Sequence, residues 1–189
     1  MRLFVAINLP ENIKEVVERM INDLEIGINQ HKSAAEIRFL PKENWHLTVT
    51  FLGYQPEEAI NSILKSIKET ATNFNQIRID FESISYGPPD KPARMVWLVG
   101  AKETSRTLNE LKIKLENKLI ENGVRFKRGN RPFNAHLALA RFSEYLGKMP
   151  NNLIAPLTLS FEAETLDLME SHLKRSGAEY ETLFEFDFH

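Results

Sequence analysis

The chain contains no cysteine in its 189 residues. That excludes disulfides, thiolate nucleophiles and cysteine-ligated zinc, and it points to a reducing compartment. No apolar run approaches the roughly 20 residues that cross a bilayer. The first apolar run, Leu3 to Ile7, is shorter than a signal-peptide core, so a cytoplasmic protein with no membrane association is expected. Neither sign of charge dominates: 24 Lys and Arg stand against 26 Asp and Glu, a net charge of −2. A protein that coats nucleic acid is usually strongly basic, so any nucleic-acid contact must come from a local patch. Arg125, Lys127, Arg128 and Arg131 form the one candidate. The five histidines show neither His-Glu-x-x-His nor His-x-His spacing, and no metal or other cofactor is expected.

What is present is an apolar fraction of 42%, ample for a core, in one ordinary domain or two small lobes. Residues 2–8 read as a buried strand closed by Pro10. Ile13, Val16, Val17, Met20 and Leu24 keep the spacing of an amphipathic helix that Gly27 would end, and residues 28–35 read as a polar loop. Arg38-Phe39-Leu40 is a short strand stopped by Pro41, and a strand from His46 follows. Ile60, Ile63, Leu64, Ile67 and Ala71 mark a second helix. In the strand from about 76 to 86 the alternation Ile77, Ile79, Phe81 shifts phase before Ile84, which predicts a bulge near Glu82. Residues 87–93, with three prolines and a glycine, form a linker.

Beyond the linker the order of elements returns. A strand covers Arg94 to Gly100, a helix runs from Thr104 to Asn122 with Leu108, Leu111, Leu115 and Leu119 inward, and Arg125-Phe126 echoes Arg38-Phe39. Asn134-Ala-His-Leu-Ala-Leu-Ala then aligns with Asn44-Trp-His-Leu-Thr-Val-Thr, placing His136 on His46 at an offset of 90. Residues 157–162 resemble 77–82 at an offset of 80, which locates a deletion of ten residues between 143 and 155, where the second helix should recur. An internal duplication follows, with copies at about 1–86 and 94–170 in a single bilobal domain. A C-terminal hairpin at about 163–188, turning around Arg175-Ser176-Gly177, completes it. Two equivalent units pack most simply about a pseudo-twofold axis, which would bring His46 and His136 face to face.

On a strand, side chains two apart share a face, so His46, Thr48 and Thr50 should line one side and Leu47, Val49 and Phe51 the other. With a reference pKa of about 6.5, one of two facing imidazoles can be a base while the other is a protonated acid. In-line displacement at phosphorus uses that pair, with hydroxyls and an arginine stabilising the phosphoryl oxygens.

With these residues in view, the sequence resembles the 2H phosphoesterase superfamily, and within it the RNA 2′,3′-cyclic phosphodiesterases also called 2′-5′ RNA ligases. The likeness runs nearly end to end: Met-Arg-Leu-Phe-Val-Ala-Ile-Asn-Leu-Pro at the start, Glu43 to Gly53, Pro92 to Gly100, Arg131 to Arg141, and Ser176 to Leu183 at the end. The resemblance implies an α+β bilobal fold with two antiparallel sheets flanking a central cleft. It implies metal-independent hydrolysis of an RNA or oligonucleotide 2′,3′-cyclic phosphate end to a 2′-phosphate, by a monomer. In those terms His46 is the proton donor to the 3′ oxygen and His136 the proton acceptor from water. Thr48 and Arg141 bind phosphate, and Phe133 stacks on a base. Ala138 departs from the family's threonine and Ala135 from its frequent proline. The departure at 138 leaves a weakened enzyme or, alternatively, a non-catalytic binder of RNA ends or nucleotides. By simple alternation Arg141 also falls on the wrong face, five residues after His136, and needs a bend to reach the cleft.

Overall fold

The apolar positions that set the periodicity are the ones the fold buries. The computed structural model of the chain describes residues 1–30, 37–89, 92–129, 133–142, 155–174 and 177–189. On β1 (Arg2–Asn8) every residue from Leu3 to Ile7 is buried, as expected of a strand covered on both faces. Helix α1 (Glu11–Gln30) turns Ile13, Val17 and Ile21 inward, α2 (Ile60–Ala71) turns Ile63, Ile67 and Ala71 inward, and α3 (Lys102–Glu121) buries Leu108, Leu111, Leu115 and Leu119. Gly27 does not end α1. A glycine inside a helix costs only about 1 kcal/mol, less than a packed apolar face supplies, so the helix continues to Gln30 and replaces the first part of the expected loop. Residues 31–35 of that loop lie outside the described residues.

The remaining strands are β2 (Ile37–Phe39), β3 (His46–Tyr54), β4 (Ile77–Gly87), β5 (Met95–Gly100), β6 (His136–Phe142), β7 (Ala155–Ala163), β8 (Thr165–Lys174) and β9 (Gly177–Asp187). They form two antiparallel sheets, one in the order β3-β1-β8-β9 and the other β2-β6-β5-β4-β7. The two histidine strands therefore belong to different sheets, as a paired site requires. One cluster of buried side chains runs through both sheets and all three helices. The bulge expected near Glu82 is present, because the register of β4 shifts between Phe81 and Ser83 against both of its neighbours.

The sheet order relates the strands of the expected repeats differently from their alignment in sequence. Strand β4 stands beside β5, and the strand standing beside β1 in the equivalent place is β8, not β7. Strand β7 instead extends the sheet that already holds β4, with Arg78 opposite Glu162 and Asp80 opposite Ser160. Residues 157–162 resemble 77–82 because both alternate with one face on the same core, not because they occupy equivalent positions. The proposed deletion falls in 143–154, outside the described residues, as do Arg175 and Ser176 of the hairpin turn.

Polar groups tie the first histidine strand to the helix layer. Glu116 of α3, 3% exposed, accepts a hydrogen bond from Thr50 of β3 at 3.3 Å and pairs with Lys112 at 2.7 Å and Arg128 at 3.0 Å. Arg128 also donates to Asn117 at 2.7 Å. This member of the expected basic patch is thus engaged in holding α3 to the chain that leads into β6. Arg131 lies outside the described residues.

Candidate active site

Each histidine strand carries an extra residue shortly after its histidine, and β3 carries a second, Leu52, farther along. On β3, His46 opposes Asn8 and Thr48 opposes Ala6, but Thr50 opposes Val5, so Val49 is extra. On β6, His136 opposes Val99 and Ala138 opposes Trp97, but Ala140 opposes Val96, so Leu139 is extra. Both bulges fall three residues after a histidine, and the seven residues from each histidine show the same sequence of burial classes. A bulge re-aims everything after it. Thr50 therefore does not share the face of His46; it turns to Glu116. Phe51, expected on the core face, emerges on the histidine face, 65% exposed and with its ring centroid 6.1 Å from that of Phe4. The same shift carries Arg141 to the histidine face and supplies the bend that simple alternation lacked.

His46 enters its strand from a tightly anchored approach. Pro41 starts a short 3-10 turn over Lys42–Asn44, and buried Trp45 donates its indole N–H to the Leu40 carbonyl at 3.0 Å. Asn44 is turned away by a bond from its amide to the Ala178 carbonyl at 2.9 Å. The imidazole of His46 packs against Phe4, 5.0 Å away centroid to centroid, and makes a T-shaped contact with Tyr180 at 4.8 Å. Burial among these rings pushes its pKa down to about 4; the Asn44 carbonyl opposes the shift, and repulsion from His136 adds to it. Its Nδ1 is buried with no properly oriented hydrogen-bond partner among the described residues.

His136 is held differently. Its ring stacks on Trp97, centroids 3.8 Å apart and planes 26° from parallel, and its Nδ1 lies 2.7 Å from the Asn134 carbonyl. A carbonyl only accepts, so Nδ1 carries the proton and the lone pair of the neutral ring is on Nε2. Burial lowers the pKa of His136 as well, against the pull of the Asn134 carbonyl. Trp97 can lie so close to β4 because residue 87 is glycine: a Cβ there would meet the indole at 2.1 Å. The charge of His136 is felt at His46, where it adds to the lowering of the pKa.

Thr48 is half-buried on the histidine face, and Ala138 offers no hydroxyl in the equivalent place. Phe133, ahead of β6, is half-buried and packs against the core, leaving only part of its ring for any ligand. Arg141 lies directly opposite Arg38 of β2, and both line a cavity with Asn44 and Tyr180. Sequence reasoning gave no role to Trp97, Tyr180 or Arg38. Their signal was cross-strand position: Trp97 is diagonal to His136 across β5 and β6, and Arg38 is opposite Arg141.

Two further ionisable groups lie near. Asp167, fully buried beside Ala6, accepts 2.8 Å from the amide of Asn8, and burial pushes its pKa up to about 6. Glu170, His172 and Glu181 bring three ligand-capable atoms within 4.8 Å of one another, the set among the described residues that could hold a metal. Glu170 opposes Leu3, on the face away from Phe4 and His46, and His172 already pairs with both carboxylates. The cleft pair is separate from them.

Residues 7–97 match the family described as LigT like Phosphoesterase. An RNA 2′,3′-cyclic phosphodiesterase of Methanocaldococcus jannaschii is 30% identical over 98% of this chain and 100% of its own length, and one of Archaeoglobus fulgidus is 29% identical over 90% and 86%. Among solved structures, TT0787 of Thermus thermophilus superposes with a TM-score of 0.77 at 26% identity, covering 100% of this chain and 98% of that one. E. coli LigT complexed with 3′-AMP gives 0.69 at 26% identity, covering 99% and 97%. These structures share the two-sheet fold.

Because Trp97 shields His136 from water, Trp97→Ala should raise the pKa of His136 toward 6.5 and leave that of His46 nearly unmoved. Imidazole titration by NMR measures both; an unchanged His136 would show that Trp97 does not set its environment.

Proposed function

The chain belongs to the LigT-like phosphoesterases of the 2H superfamily, and on that premise we propose that it hydrolyses the 2′,3′-cyclic phosphate end of RNA or an oligonucleotide to a 2′-phosphate, without a metal. The observation that carries this reading is a pair of half-buried histidines at matching positions on two bulged strands, one with its tautomer set by a backbone carbonyl.

Nε2 of neutral His136 removes a proton from water as the water oxygen bonds to phosphorus. The bond from phosphorus to O3′ breaks on the opposite side, and protonated His46 delivers its proton to O3′. The product is a 2′-phosphate and a 3′-hydroxyl; His136 is left protonated and His46 neutral, and proton exchange with solvent resets the pair. Burial favours neutral rings while the cleft is empty. An arriving phosphate anion favours the charged form and so loads the acid with its proton when substrate binds. Thr48 donates to a phosphoryl oxygen and Arg141 adds positive charge on the same face. The open part of Phe133 is the surface it has to offer a base.

With a 2′,3′-cyclic nucleotide and EDTA present, the protein should yield the 2′-phosphate, and His46→Ala or His136→Ala should each lower kcat on the order of 10²- to 10⁴-fold. Absence of product, or turnover unaffected by either change, would sink the reading.

The depressed histidine pKa values fix the sign of the pH dependence. The free enzyme is productive with one proton on the pair, and both imidazoles hold protons less well than at 6.5. The profile of kcat/KM should therefore peak below pH 6.5 and fall as pH rises through 7 and 8. The kcat profile should peak at higher pH, because bound phosphate raises both values. A kcat/KM still climbing at pH 8 contradicts the assignment.

Ala138 is the observation that favours the second reading, a binder of RNA ends without chemistry. Loss of one transition-state donor typically costs about 10²- to 10³-fold, which leaves a weakened enzyme. Ala138→Thr should then raise kcat at least tenfold with little change in KM. No gain, together with tight binding of the 2′-phosphate, would favour the binder.

A further inference from the structure

We infer that the cavity lined by Arg38 and Arg141 is a second anion subsite, which receives the phosphate one nucleoside to the 5′ side of the reacting cyclic phosphate. The inference rests on the reading of His46 and His136 as a cyclic phosphodiesterase centre.

The cavity, about 220 Å³, lies where the approach to β3 meets the start of β9, between Arg38, Asn44, Arg141 and Tyr180. At that size it takes a phosphate with part of its sugar, and is smaller than the roughly 300–1,000 Å³ of pockets that enclose whole drug-sized ligands. It adjoins the histidine site through two shared residues. Tyr180 makes a T-shaped ring contact with His46, and Asn44, whose amide is fixed to the Ala178 carbonyl, precedes that histidine by two positions.

Arg38 and Arg141 are directly opposed on adjacent antiparallel strands, so both side chains leave the sheet on the same face. Two guanidinium groups on one face of the sheet present planar sets of paired N–H donors to an anion between them. Arg38 is also seated. Its Nη2 lies 3.2 Å from where a Cβ on Gly177 would be, and Gly177 has φ +135°, a conformation that favours glycine. The hairpin thus leaves room for the guanidinium against its backbone. Glu179 lines the cavity as well, with its carboxylate engaged by the ammonium of Lys174.

A 2′,3′-cyclic phosphate stands at the 3′ end of a chain, so the nearest other phosphate is on the 5′ side of the same nucleoside. It can be the diester of an RNA chain or the 5′-phosphate of a nucleotide, and both present the same anionic oxygens. Arg141 stands between the two phosphates, and Arg38 belongs to the second alone.

Calorimetry with adenosine 2′-phosphate and adenosine 2′,5′-bisphosphate tests the subsite independently of turnover. Wild-type protein should bind the bisphosphate at least tenfold more tightly, and the advantage should shrink with added salt. Arg38→Ala should reduce the advantage to less than threefold and leave adenosine 2′-phosphate affinity within threefold of wild type. Gly177→Ala keeps the charge but pushes a methyl toward the guanidinium, and should reduce the advantage in part. Equal wild-type affinities for the two ligands, or an Arg38→Ala protein that weakens both alike, would overturn the subsite. A subsite that survives this test in a protein with no cyclic-phosphate turnover would leave the inference standing and remove the reaction. Kinetics then identify the source of the phosphate. A gain in kcat/KM for both adenosine 5′-phosphate 2′,3′-cyclic phosphate and an ApA dinucleotide ending in the cyclic phosphate, over adenosine 2′,3′-cyclic phosphate, shows that a phosphate suffices. A gain for the dinucleotide alone shows that the chain diester is read.

Discussion

The arrangement of the site depends on the extra residue that follows three positions after each histidine, Val49 in one strand and Leu139 in the other. Before the bulge, the strands obey simple alternation and present a histidine and the residue two later. After it, the phase reverses, and the fifth residue past each histidine arrives on the same face as the histidine itself. Without the bulges, Arg141 would point into the helix layer as an unpaired cation, Phe51 would be buried, and Thr50 would lose Glu116. Backbone geometry, at two equivalent places, therefore decides which side chains the cleft contains.

The environment of the pair follows from the same packing. Both imidazoles are set among aromatic rings, and desolvation is the leading cause of the fall in pKa of each. Each also has a backbone carbonyl two residues upstream. Asn134 forms the hydrogen bond and fixes a tautomer, whereas the Asn44 carbonyl only opposes the fall in the His46 pKa. A ring with its proton fixed on Nδ1 is suited to accept at Nε2. The more strongly depressed ring gives up its proton most readily, and in the proposed reaction it is the donor. The division of roles is thus consistent with local backbone geometry in each half.

Much of this was legible in the sequence. Hydrophobic periodicity located the helices and most strands, the phase change before Ile84 located the Glu82 bulge, and the repeated Asn-x-His marked the starts of two strands that lie in different sheets. The histidine-strand bulges were not legible, because Thr-Val-Thr-Phe and Ala-Leu-Ala-Arg fit a regular strand as well as a bulged one. The partner across the sheet decides between them, and one strand's sequence does not contain it. The exchange of β7 for β8 had the same origin: alternation reports that a strand has a buried face and says nothing of which sheet supplies it. Gly27 misled for another reason, since a helix fixed by an apolar face tolerates a residue that would end an isolated one.

The two halves share a backbone but no longer share their side chains, and that asymmetry bears on direction. A cleft with true twofold symmetry would accept a substrate in either of two orientations and could not keep acid and base distinct. Here the residue two after the histidine is Thr48 in one strand and Ala138 in the other, and Phe51 occupies the position that Arg141 holds on the second strand. Arg141 has a second arginine opposite it, while Phe51 has Phe4. One end of the cleft is therefore cationic and the other aromatic. A nucleotide, with phosphate at one side and a base at the other, matches that polarity in one orientation. In the proposed reaction, these differences between the two histidine strands distinguish the donor from the acceptor.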